Sequence, residues 1–159
     1  MQQDKIVSQH EIGVLHYNGT THQKSLHAVV PIKNGEVFSS FRAGNRLSYP
    51  TRFTVQLGED EHIELQPAFL QFINHSCKPN LFFDTQSMQV VCIDNIKIGD
   101  ELTYFYPSTE WIMEEPFTCR CGFEHCLGEI KGAAFLSQGQ VKYYHFTEFI
   151  KEKMNLLHH

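Results

Sequence analysis

The chain has 159 residues, 42% of them hydrophobic, which is enough for one core and short for two independent ones. Its 13 Lys and Arg against 18 Asp and Glu leave a net charge of −5 and a pI near 6.0, which argues against nucleic acid as the main partner and suits a basic one such as a lysine-rich peptide. No apolar run reaches the ~18 residues needed to cross a membrane, and the opening MQQDKIVSQHE has no signal-peptide core, so an intracellular location, cytoplasmic or nuclear, is expected.

Residues Ile6 to Tyr17 and Leu26 to Ile32 read as short strands, the second because Leu26, Ala28 and Val30 alternate. Asn18-Gly19 and Asn34-Gly35 punctuate them as turns. Phe53, Val55 and Leu57 alternate, Gly58 to His62 (GEDEH) makes a polar solvated turn, and Ile63 and Leu65 resume the alternation. That pattern predicts a hairpin, ended by Pro67. A second hairpin is predicted from Leu81 to Phe83 and Met88 to Ile93 around Asp84-Thr85-Gln86-Ser87, with Cys92 a core residue of its apolar run VVCI. Lys97 to Asp100 turns into Glu101 to Tyr106, ELTYFY, where Leu102, Tyr104 and Tyr106 share one face of an extended strand and Thr103 and Phe105 share the other. Phe146, Phe149, Ile150, Met154 and Leu157 fall near helical spacing and predict a C-terminal amphipathic helix. His158 and His159 are given no role.

Between the hairpins lies Gln71 to Asn80, QFINHSCKPN, which sets an amide, an imidazole, a hydroxyl, a thiol and a second amide directly behind Leu70, Phe72 and Ile73. Buried polar groups cost free energy unless each finds a partner. The run is therefore either an exposed turn or a site with many satisfied contacts. Five cysteines are an odd number, and a reducing compartment keeps them as thiols or metal ligands. Cys119, Cys121 and Cys126 crowd into C-x-C-x4-C and want a fourth ligand; His125 is a poor substitute, because it directly precedes Cys126 and adjacent side chains rarely both ligate.

These three strings, NHSC-x-PN, ELTYFY and C-x-C-x4-C, resemble in identity and order the SET-domain protein lysine methyltransferases with a post-SET zinc segment, over roughly Leu26 to Gly132. The resemblance implies a mainly β, β-clip-like fold of short curved sheets with a C-terminal pseudoknot, a zinc site and a C-terminal helix. It divides the chain into a SET domain (1–116), a post-SET zinc segment (117–132) and a C-terminal helical extension (133–159) that form one compact unit. It implies S-adenosylmethionine as cofactor, one structural zinc on Cys77, Cys119, Cys121 and Cys126, and a lysine-containing protein as substrate. Tyr106 takes the catalytic position, and Tyr104 the position that limits how many methyl groups are added. Asn74, the His75 backbone and the Arg120 backbone take cofactor positions. Gln23, Lys24 and Ser25 stand where the family has a glycine-x-glycine turn beside the cofactor, so weaker cofactor binding is expected.

Methyl transfer to lysine needs a neutral amine, and an ε-amine has a pKa near ~10.4. An aromatic-walled channel disfavours the ammonium, and 13 Phe with 6 Tyr supply the material. The competing readings are a SET-like scaffold that has lost its cofactor and, less consistent with the charge, a zinc-ribbon nucleic-acid binder.

Overall fold

The computed structural model describes residues 3–157, leaving His158 and His159 outside. The chain opens with an antiparallel meander of β1 (Lys5–Gln9), β2 (Gly13–Tyr17) and β3 (Lys24–Ala28), in which Leu15, Leu26 and Ala28 are buried. The expected strand to Ile32 stops early. Val29 and Val30 are exposed at a bend, and Ile32 rejoins only through a bridge to Ile96. In the Asn18-Gly19 turn the side-chain oxygen of Asn18 accepts the N–H groups of Thr20 and Thr21, and the residue with left-handed backbone is His22 rather than Gly19.

After β4 (Val37–Ser40), the strands β5 (Arg42–Leu47), β6 (Thr54–Gly58) and β7 (Glu61–Gln66) form a second sheet with β7 in the middle. The β6–β7 hairpin is the predicted one, but both faces of β6 are covered: Thr54, Val55 and Gln56 are all buried. The solvated turn is also shorter than expected, because Glu61 already pairs in β7 and His62 is buried. Glu59 at its tip meets Lys153 at 3.0 Å.

A 3-10 turn (Ala68–Phe72) leads into the third sheet, β8 (Asn74–His75), β9 (Leu81–Asp84), β10 (Gln89–Cys92) and β11 (Thr103–Tyr104), ordered β4-β10-β9-β11-β8. Thus β11 enters between two strands that are neighbours in sequence. The loop joining those two strands passes over it, donating Ser76 N–H to the Tyr104 carbonyl and Asn80 N–H to the Thr103 carbonyl at 3.0 and 3.2 Å. This threading is the expected pseudoknot. The strand is shorter than predicted, since Tyr106 begins a 3-10 turn (Tyr106–Ser108), yet the alternation holds. Leu102, Tyr104 and Tyr106 pack with the core between the sheets, while Phe105 joins a second cluster with Ala133, Phe146 and Ile150.

The remaining elements are a short ribbon, β12 (Phe117–Thr118) with β13 (Glu129–Ile130), a helical turn α1 (Gln138–Val141) with a capping box on Ser137, and α2 (Glu148–Leu157). The predicted C-terminal helix is α2: Ile150 is fully buried, Phe149 and Met154 flank it, and Phe146 anchors the chain just before its start. Gly132 is obligatory, because its φ is +121° and a Cβ there would overlap the Trp111 carbonyl. No helix among the described residues is long and apolar enough to cross a membrane.

The crossing is clamped by one side chain. The amide of Asn80 donates to the Glu101 carbonyl and accepts the Thr103 N–H, at 3.0 and 2.9 Å. Asn80→Ala is expected to lower unfolding free energy by roughly 2 kcal/mol, measured by urea denaturation. Asn95→Ala, whose amide oxygen holds only the Asn34 N–H, is expected to cost less than half of that.

Candidate functional site

The pairing of β11 with β8 sets Thr103 opposite Asn74 and Tyr104 opposite His75. Two of the three sequence motifs thereby meet at one place. The Asn74 amide donates to the Lys24 carbonyl at 2.9 Å and to the Glu101 carboxylate at 3.1 Å, which draws β3 to the same spot. Leu102 N–H bonds the Leu26 carbonyl alongside it. Of the residues in the glycine-turn position, Lys24 therefore touches the motif directly and lays its ammonium over the Phe72 ring, 4.7 Å from the centroid. Gln23 closes the β2–β3 turn through its carbonyl, and the Ser25 hydroxyl bonds His27. Arg120 follows β12 and is exposed.

The two tyrosines lie ring to ring, 4.6 Å between centroids. Tyr106 donates its hydroxyl to the Ile73 carbonyl at 3.0 Å and edges against Phe117. Phe53 and Phe72 pack edge to face beside Lys24 and Arg52. Burial pushes both phenols far above their usual range. They stay protonated and act as hydrogen-bonding groups rather than bases.

His75 ties this aromatic cluster to the thiols. Its Nδ1 accepts the Tyr106 backbone N–H at 3.1 Å, so the proton belongs on Nε2, which faces the Cys77 sulfur at 3.4 Å. Burial lowers the imidazole to about 3, which keeps it neutral. The sulfurs of Cys77, Cys119, Cys121 and Cys126 all lie within 4.8 Å of one another, and Cys77 is 3.9 Å from both Cys119 and Cys126. A tetrahedral zinc with arms of about 2.3 Å has corners about 3.8 Å apart, so the four thiols fit that ion. Burial raises Cys119 to about 11; against the same effect, hydrogen bonds from the backbone at Phe123 and Cys77 bring Cys121 down to about 6. His125 is exposed, faces Glu124 and stands apart from the cluster. Cys92 is buried in the core and bonds the Asp94 carbonyl, as expected.

Sequence reasoning missed three participants. Tyr144 stacks on Phe105 with centroids 3.6 Å apart and donates its hydroxyl to the Cys77 carbonyl at 2.7 Å. Glu110, buried, accepts the Thr109 hydroxyl at 2.6 Å and the Gln56 N–H at 3.2 Å. Phe117 faces both His75 and Tyr106. None of the three sits in a motif or a clear periodic run. A cavity of about 610 Å³ also opens between Phe82, Phe123, Tyr143 and Tyr144. It shares Cys77 and Cys126 with the thiols but reaches none of Asn74, His75, Tyr104 or Tyr106, so the motif cluster, not this cavity, is the candidate site.

The family model described as SET domain matches residues 18–107. A protein named methyltransferase flvH, from Aspergillus flavus, is 37% identical over 135 residues, covering 84% of this chain and 75% of the relative. Human histone-lysine N-methyltransferase SETD1B is 34% identical over 68 residues, 39% of this chain and 3% of that much longer protein.

Two outcomes follow from the site. Protein purified without chelator is expected to carry one zinc per chain by elemental analysis, and Cys121→Ser to lose it together with several kcal/mol of stability; a wild type with far less than one zinc contradicts the assignment. The second concerns Glu110, which burial raises from 4.5 to about 7. A carboxyl whose folded pKa is raised stabilises the fold fully below its unfolded pKa and loses that contribution as pH rises through the folded one. Between pH 4.5 and 8 wild type should lose roughly 3 kcal/mol relative to Glu110→Gln. Comparing the two proteins at each pH cancels the acid sensitivity of the thiol cluster.

Proposed function

The chain belongs to the SET-domain family, and from that premise we propose that it transfers a methyl group from S-adenosylmethionine to the ε-amine of a protein lysine, giving mono- or dimethyl-lysine. The observation that carries the reading is the parallel pairing of Asn74–His75 with Thr103–Tyr104, which gathers both tyrosines, the Asn74 amide and the Lys24 carbonyl. The names of the relatives, a methyltransferase and a histone-lysine N-methyltransferase, support the reaction class.

S-adenosylmethionine supplies, when bound, an electrophilic methyl group on a cationic sulfur. Asn74, the His75 backbone, the stretch from Gln23 to Ser25 and the Arg120 backbone are assigned to hold it. Cys77, Cys119, Cys121 and Cys126 are assigned to a structural zinc that takes no part in the transfer. The obstacle is the substrate, since an ammonium has no lone pair to attack with. Phe72, Tyr104 and Tyr106 pack on one apolar cluster and Phe117 edges against Tyr106, surface that lowers the pKa of an amine placed beside it by desolvation. The phenols, neutral through burial, then orient the amine, and the rate comes from alignment rather than from a base.

One observation favours a second reading, a SET-like scaffold without cofactor: Gln23-Lys24-Ser25 replaces the family's glycine-x-glycine turn, and the Lys24 side chain bends over Phe72. The tyrosine variants separate the two. Tyr106→Phe is expected to keep S-adenosylmethionine affinity within about twofold while methyl transfer falls about 100-fold, the scale of a misplaced reactant. Tyr104→Phe is expected to shift product toward higher methylation by mass spectrometry. Mainly trimethyl-lysine from unmodified protein contradicts the role given to Tyr104.

A further inference from the structure

The cavity between Phe82, Phe123, Tyr143 and Tyr144 takes no part in the proposed transfer, yet its volume of about 610 Å³ is that of a small-ligand site. Phe105, whose ring lies away from the cluster that holds Tyr104 and Tyr106, reaches it and stacks there on Tyr144. Two of its rings face ammonium groups of the chain itself. Lys78 Nζ lies 5.9 Å from the Phe123 centroid, and Lys142 Nζ lies 5.3 Å from that of Tyr143. The face of an aromatic ring is electronegative, so these rings are cation receptors, met here only by exposed lysines.

The remaining wall agrees in sign. Cys77 and Cys126 line it, and four thiolates carry more negative charge than the divalent zinc they fit can cancel. Asp94 adds a carboxylate that offsets Lys78. Which cation suits the cavity is decided by its acceptors. A primary ammonium brings three N–H groups that water had satisfied. Here Gln140 Oε1 is spent on the Ser137 N–H, and Asp94 Oδ1 on the Asn95 N–H. The Ser108 hydroxyl, by contrast, is buried on the lining without a partner and can take one N–H. A dimethylated ammonium has one N–H to place, and its methyl groups lay the charge against ring faces.

We propose that this cavity is a second binding site, separate from the motif cluster, for a methylated ammonium group, best the dimethylammonium of a dimethyl-lysine side chain. Its methyl groups lie against the aromatic wall and its N–H goes to Ser108. That such a group is also this chain's own product rests on the lysine reading above; the binding itself does not.

The test is an NMR titration of isotope-labelled, zinc-loaded full-length protein, without S-adenosylmethionine, using the N-acetyl amide of dimethyl-lysine. Saturable shifts are expected at the amides of Leu127, Gly139 and Gln140, which line the cavity, and not at those of Asn74 and Tyr104. The neutral isostere, with carbon in place of the charged nitrogen, is expected to bind about fivefold more weakly, the worth of a cation on a ring face. Trimethyl-lysine, which has no N–H, should bind less well than dimethyl-lysine. Ser108→Ala should abolish that preference without loss of stability, since the hydroxyl it removes has no partner. Tyr143→Ala, at a residue 75% exposed, should weaken binding about threefold. Lys78→Gln frees the Phe123 face and removes a like charge, so it should strengthen binding. Shifts confined to the motif amides, equal binding of the neutral isostere, or weaker binding by Lys78→Gln overturn the site. A preference for dimethyl-lysine that survives Ser108→Ala, or an affinity unchanged in Tyr143→Ala, overturns it too. Because no turnover is measured, a protein that methylates no lysine peptide but shows these shifts loses the lysine reading and keeps the site.

Discussion

Threading β11 between β8 and β9 is the constraint on which the rest of the molecule depends. Because the loop from Ser76 to Asn80 must deliver backbone donors to Thr103 and Tyr104, the two strings are locked in one register. Side chains alternate across a strand, so a slip of one residue would exchange the faces of Tyr104 and Phe105. Tyr104 would then leave the core it shares with Leu102, and Phe105 would leave the stack it makes with Tyr144. The Asn80 amide, bonded at both ends to the incoming strand, makes that slip costly.

A second coupling runs through the neutral imidazole of His75. It accepts from the backbone of Tyr106 and faces the sulfur of Cys77, so the thiol cluster and the tyrosine assigned to the reaction share one rigid ring. The C-terminal segment adds to the same corner: Tyr144 caps the Cys77 carbonyl, and Phe146 and Ile150 bury the far side of Phe105. The stretch Gln23 to Ser25, whose last two residues open β3, is tied to the same place by Asn74, whose amide grips the Lys24 carbonyl.

What could be read from the sequence was what repeats or has a fixed spacing. The two hairpins, the terminal helix and the split of ELTYFY into two faces came from periodicity, and the thiol set came from C-x-C-x4-C with the distant Cys77. Strand ends were less legible. Val30 continued the alternation of Leu26 and Ala28 but had no partner strand, and Tyr106 kept its face while its backbone turned helical. β4 and β5 were not foreseen because Val37 to Leu47 mixes polar and apolar residues without a clean period, and pairing with β10 and β7 overrides weak local preference. Thr109, Glu110 and Tyr144 were illegible for another reason. Their meaning lies in buried contacts, of Thr109 with Glu110, of Glu110 with Gln56 and of Tyr144 with Cys77, that no spacing announces.

The central claim is that a metal-braced corner and the threaded motifs together make a cofactor site despite the altered turn. Calorimetric titration with S-adenosylmethionine, performed on the zinc-loaded protein and on the same protein stripped of metal, tests it most directly. The account predicts saturable binding by the loaded protein and its loss on stripping, since zinc binding to a small segment is a large part of that segment's folding free energy. Absence of binding at millimolar cofactor with the zinc in place would contradict it.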